Sequence, residues 1–137
     1  MLMTRIAQKD YGAGLWTLPG GGVDHGEDPG DGVVREFREE TSLSVLPSTV
    51  RLIHSAHFLG RNRAGVLEDF HGLGVVYDVQ VVAGQDLNAL EILEEDSSTD
   101  LVEWLNLADI YDVVSDHFDR EYSGVAAAAI RSVLARG

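Results

Sequence analysis

An aspartate followed by a proline, Asp28-Pro29, marks the start of a helix. Asp is a favoured N-cap, and the ring of Pro presets the dihedral angle needed at the first helical position. The helix is expected to run to about Thr41, although Gly30 and Gly32 weaken its first turn. Val33, Val34 and Phe37 supply its apolar positions, while Glu36, Glu39 and Glu40 fall at i, i+3 and i+4 and share one face. Carboxylates that close repel by a few tenths of a kcal/mol per exposed pair. A hard divalent cation reverses the penalty, because magnesium and manganese prefer oxygen ligands. The same residues, with Arg35 and Arg38, equally describe a solvated helix face, and the spacing alone does not separate the two readings.

Around this helix the chain reads as a mixed α/β domain. Leu2 to Ala7 is a short strand, followed by a polar turn through Gly14. Leu15-Trp16-Thr17-Leu18 is extended and is stopped by Pro19-Gly20-Gly21-Gly22. Arg51 to Leu59 and Leu73 to Val82 are β-rich, and Gly60 to Gly72 between them reads as a polar loop. Leu101 to Leu105 suits a final short strand. Leu107, Ile110, Tyr111, Val114 and Phe118 recur at helical spacing, as do Ala126, Ile130, Val133 and Leu134. No repeat or linker divides the 137 residues, so residues 1–137 are expected to form one domain.

Composition then removes whole classes of function. There is no cysteine, hence no disulfide, thiol nucleophile or cysteine-held metal. No apolar run reaches the roughly 18 residues of a membrane span, and the first residues lack the regions of a signal peptide; a cytoplasmic location is the default expectation. With 23 acidic against 10 basic residues the net charge is −13, and Lys9 is the one lysine. Duplex DNA and anionic membranes need basic stripes, so neither is an expected partner. A small anionic substrate fits if divalent cations carry the attraction.

The segment Gly21 to Leu43 narrows the reading further. Gly21, five residues, Glu27, seven residues, then Arg35-Glu36-Phe37-Arg38-Glu39-Glu40 and Leu43 resembles the Nudix box, G-x5-E-x7-R-E-U-x-E-E-x-G-U, where U is a bulky apolar residue. Leu15 to Gly21 is similar to that family's approach to the box. The resemblance implies a Nudix fold, an α/β/α sandwich around a mixed β-sheet with the box as loop–helix–loop. It also implies MutT-like hydrolysis of a nucleoside diphosphate linked to another moiety, such as a nucleoside triphosphate or nucleotide sugar, with Mg2+ or Mn2+ as cofactor. By that resemblance Glu36, Glu39 and Glu40, with the Gly20 carbonyl, would hold metal. Arg35 would orient a box glutamate, Glu27 would bind metal or support the loop at the helix entrance, and Gly21 would support the loop. Chemistry agrees, since pyrophosphate hydrolysis needs neutralised phosphate oxygens and an activated water, both of which bridging divalent ions supply.

Two departures stand out. Ser42 occupies the box's second glycine, where a left-handed conformation is usual and costs serine more than glycine. The chain also begins at a segment that relatives precede with a further strand. This predicts an unpaired edge beside Leu2–Ala7, filled by a second copy of the chain or by upstream sequence. As general base, Glu40 is favoured over Glu95, Asp96 and Asp100 within the acidic stretch that starts at Glu91 and includes Glu94. Arg61 and Arg63 are expected phosphate contacts. Phe58 and Tyr77 suit either a base-stacking pocket or the core, and Trp16 and Trp104 suit packing. His54, His57 and His71 read as structural, and His25 as exposed.

Two classes of function follow. One is a metal-dependent pyrophosphohydrolase. The other is a Nudix-fold nucleotide-binding or regulatory domain with little catalysis. Three retained carboxylates favour the enzyme, and Ser42 leans the other way. An EF-hand calcium loop is excluded by the arrangement of the acids.

Overall fold

The computed structural model describes residues 1–110 and 116–136. Strand β1, Leu2–Ile6, is the middle of a three-stranded sheet, with β2, Trp16–Thr17, on one side and β5, Thr99–Trp104, on the other. Thr4 lies opposite Thr17 and Val102, and both pairings are antiparallel. Alternation along β1 builds the layers. Leu2 joins Phe37, Leu43 and Val45 in one buried cluster, whereas Met3 joins Phe118, Tyr122, Ala126 and Ile130 in another. Helix α1, Pro29–Thr41, therefore covers one face of the sheet, while α2, Asp116–Glu121, and α3, Gly124–Arg136, cover the opposite face. That is the layered α/β architecture the sequence led us to expect.

The unpaired edge expected beside Leu2–Ala7 is not there. Strand β5 returns from almost a hundred residues away to pair with β1, and the Met1 ammonium donates to the Leu105 carbonyl at 2.9 Å. Such a distant pairing has no local signature in the sequence.

The second ladder is a long antiparallel ribbon, β3, Val45–Arg61, with β4, Leu67–Val81. The polar loop expected over Gly60–Gly72 is thus mostly strand. Only residues 62–66 turn, and the Asn62 side-chain oxygen accepts from the amides of Ala64 and Val66, both at 3.0 Å. Much of this end of the ribbon meets solvent, so its residues carry no clean hydrophobic alternation, and ladder hydrogen bonds, with the Asn62 side chain at the turn, hold it. Strand β3 also begins earlier than Arg51; register shifts at Pro47/Thr49 and Val50/Leu52 accommodate a proline that has no amide to donate. All named strand pairs are antiparallel, and among the described residues the parallel component of the expected mixed sheet is the bridge between Trp16 and Tyr122.

At the C-terminal end, Leu107–Asp109 forms a 3-10 turn capped by the Asn106 side chain, and Phe118 sits in α2. Tyr111 and Val114 lie outside the described residues. Among the described residues no helix is long and apolar enough to cross a membrane.

Candidate active site

The site grows from the two ends of α1. At its start the Asp28 carboxylate accepts from the Gly30 amide at 2.8 Å, the N-cap bond that Asp-Pro implied. At its end Ser42 takes the left-handed conformation, φ 68° and ψ −3°, and its amide donates to the Arg38 carbonyl. The Ser42 hydroxyl then donates to the Ala89 carbonyl at 3.1 Å. A serine holds the place of the box glycine by making a hydrogen bond that glycine could not.

Arg35 organises the loop before the helix. Its Nε and Nη2 fork onto both oxygens of Glu27, each at 2.9 Å, and Nη2 also reaches the Gly22 carbonyl at 3.0 Å. Nη1 points along the helix to Glu36 at 3.0 Å and Glu39 at 3.3 Å. The fork from Arg35, aided by the Asp24 amide, pulls the Glu27 carboxyl down to about 2. Gly21 is fitted to this packing, since a Cβ there would lie 2.6 Å from the Glu36 carboxylate.

Glu40 has different surroundings. It is 2% exposed, with one oxygen accepting from the Gly20 amide at 2.9 Å and the other from the Thr99 hydroxyl at 3.1 Å. Burial pushes its carboxyl up to about 7, against the Gly20 amide and with the charges of Glu36 and Glu94 adding to the rise. Glu36 is also raised, by burial first and against the pull of Arg35. These are partly desolvated acids with more negative charge than the one guanidinium beside them offsets.

Sequence reasoning named Glu94 within the acidic stretch but did not weigh it as a base. The amides of Leu93 and Glu94 donate to the Glu39 carbonyl at 2.7 and 3.2 Å, and that of Glu91 donates to Thr41. The loop thereby satisfies carbonyls left open at the end of α1 and brings Glu94 into electrostatic reach of both Glu36 and Glu40. An acidic run announces such a loop, but only docking selects the member that faces the helix. Thr99 was equally silent, being a polar residue in a strand. Of the other acids weighed as bases, Asp96 is engaged with Lys9 and Arg63, and Asp100 with Arg5 at 2.8 Å. Arg63 pairs with Asp10 at 2.7 Å and feels Glu94, which brings it to the edge of the acidic site; Arg61 instead folds onto the Gly65 carbonyl in its own turn.

Glu36, Glu39 and Glu40 share a region, yet among the described residues no three His, Asp or Glu side chains sit close enough together to hold one ion as they stand. Arg35 draws Glu36 and Glu39 aside, and Glu40 is turned toward Gly20 and Thr99. The donor chemistry nonetheless suits a hard cation, because crowded, partly desolvated carboxylate oxygens are what such an ion neutralises.

Fold and site together define a layered α/β domain with an acidic loop–helix–loop at its centre. The chain belongs to the Nudix family; the NUDIX domain matches residues 1–126. It is 30% identical over 109 residues to an RNA pyrophosphohydrolase of Pelagibacter ubique, a match covering 74% of this chain and 66% of that protein. It is 42% identical over 52 residues to an RNA pyrophosphohydrolase of Rhizobium meliloti, covering 34% and 31% of the two chains. The chain thus spans less than two thirds of either relative. Among solved structures, a MutT Nudix hydrolase from Burkholderia pseudomallei superposes with a TM-score of 0.59 at 21% identity, covering 96% of this chain and 86% of that one. An ADP-ribose pyrophosphatase from Streptococcus suis gives 0.55 at 20% identity, covering 99% and 82%. These two likenesses bear on the fold.

Proposed function

We propose that this chain hydrolyses the pyrophosphate bond of a nucleoside diphosphate linked to another moiety, using Mg2+ or Mn2+. The observation that carries the reading is Glu40, a buried acid on the box helix raised to about 7 beside two further glutamates. Glu36, Glu39 and Glu40, with the Gly20 carbonyl, would hold the divalent ion, which when bound neutralises phosphate oxygens and lowers the pKa of water. Arg35 positions Glu36 and Glu39 through its Nη1 and anchors the loop through Glu27. Glu40, steadied by the Gly20 amide and the Thr99 hydroxyl, would receive the proton of the attacking water. Arg63, released from Asp10 and Asp96, would meet a substrate phosphate. The relatives named RNA pyrophosphohydrolase support a pyrophosphate bond on a nucleotide or RNA as the substrate class.

A second reading, a nucleotide-binding domain with little turnover, is favoured by the lack of convergence among the carboxylates. A phosphate-release panel over nucleoside triphosphates, nucleotide sugars and 5′-triphosphate oligonucleotides separates the two. Turnover that disappears with chelator and returns with magnesium or manganese is expected. Saturable nucleotide binding without turnover under any metal would establish the second reading instead.

A further inference from the structure

Next to the acidic site lies an aromatic ladder that no role above uses. Phe58 and Phe70 are directly opposed across the ribbon, with ring centroids 4.9 Å apart. Tyr11, from the loop between β1 and β2, stacks on Phe58 at 4.1 Å with the planes within 4°. Packing does not bury the ladder, for Tyr11 remains 58% exposed and Phe70 44%. The ribbon is shaped for it, since a Cβ on Gly60 would lie 2.9 Å from the Tyr11 ring. The neighbour of Tyr11 in sequence, Asp10, holds Arg63 through both carboxylate oxygens. Arg63 is also within the field of Glu94, the acid that bears on Glu36 and Glu40. An open aromatic face, a guanidinium and a carboxylate cluster thus follow one another across the surface.

We propose that the Tyr11–Phe58–Phe70 ladder is the platform on which the substrate's nucleobase stacks, with Arg63 bridging from it to the phosphates. The proposal rests on the nucleotide reading of the box site and adds to it the group that recognises the base. Tyr11, braced from behind by Phe58, offers its other face at small conformational cost, and every base has a π-face to match. Such a platform favours base-bearing substrates without selecting strongly among bases. Tyr11 and Phe70 are specificity residues here, not catalytic ones.

The test compares Tyr11→Leu, Phe70→Leu and Tyr11→Phe on a nucleoside triphosphate and on inorganic triphosphate. Stacking is worth enough that either leucine variant should raise KM for the nucleotide by roughly 5- to 100-fold, with kcat and the inorganic substrate little changed, while Tyr11→Phe keeps the wild-type KM. In parallel, with magnesium present, Tyr11→Trp should show fluorescence quenched by ADP but not by inorganic pyrophosphate, a readout that needs no turnover. Quenching without hydrolysis would uphold the platform while refuting the enzyme. Hydrolysis with an unchanged KM in both leucine variants, or equal quenching by ADP and pyrophosphate, would overturn the platform and leave the enzyme standing.

Discussion

Glu40 in α1 and the residues just outside its two ends, Glu27 and Ser42, carry the sharpest expectations. Glu40→Gln keeps size and burial but removes a charge from the centre of the site, so turnover should fall about 100-fold or more, as when a key electrostatic group is lost. Stability should move the other way. A carboxyl raised from 4.5 to about 7 keeps its proton in the folded chain where the unfolded chain has lost it, so wild-type stability falls as pH rises through that window. Glu40→Gln removes that slope, and melting curves from pH 4.5 to 8 without metal should be flatter for the variant; curves of equal slope would refute the burial argument. Glu27 has the opposite sign. Held down to about 2 by Arg35, it contributes stability above pH 4.5 that disappears as pH falls toward 2. At the other end of the helix, Ser42→Ala keeps the left-handed backbone but loses the bond to Ala89, costing about 1 kcal/mol. Ser42→Gly loses the same bond but relieves the backbone, and should lie closer to wild type in urea titration.

Among the elements, α1 was readable and the ribbon was not. Asp28, Pro29 and the Val33/Val34/Phe37 stripe specify a helix through short-range rules, and its observed span agrees with the expected one. Residues 60–72 follow no such rule, because a ribbon end largely in solvent needs no clean apolar alternation, and its glycines and charges look like a loop. What holds its tip is Asn62, whose side chain occupies two turn amides. Asn62→Ala should therefore speed amide exchange around residues 61–67 while leaving α1 protected. Unchanged exchange at the tip would show that the ladder alone suffices. The loop carrying Glu94 belongs with the ribbon, being placed by backbone donors onto Glu39 and Thr41 rather than by any pattern of its own.

For the whole molecule, charge and exposed surface set the expectations. Carboxylates must be ionised to hold a cation, so added magnesium should raise Tm, and by more at pH 8 than at pH 6. No magnesium effect at either pH would remove the metal assignment. With β1 paired on both sides, an open edge no longer argues for self-association, and exposed apolar residues gather instead on the ribbon. On the outer face of the ribbon Ile53 lies opposite Val75 and Ser55 opposite Leu73, with Ile53 67% and Leu73 71% exposed and Leu59 alongside. The polar groups among them pair with one another, Ser55 with His71 and His57 with Asp69. A contiguous apolar face of this kind is unusual on a monomer, and a standard interface needs only about 800 Å² per partner. Light scattering should give a dimer that Leu73→Lys converts to monomer; a monomeric wild type would refute it.

The sequence by itself determined the helix, its caps, the shared face of Glu36, Glu39 and Glu40, and membership of the family. All of these depend on residues within about four positions of one another or on a fixed local spacing. Tertiary structure alone decided that β5 pairs with β1, that Thr99 and Gly20 orient Glu40, that Glu94 comes within electrostatic reach of Glu36 and Glu40, and that Tyr11 stacks on Phe58. Each of those joins residues far apart in the chain, and hydrogen bonds and ring contacts of that kind leave no periodic trace. Burial, which raises Glu40, is likewise a property of everything packed around a side chain and not of its neighbours in sequence.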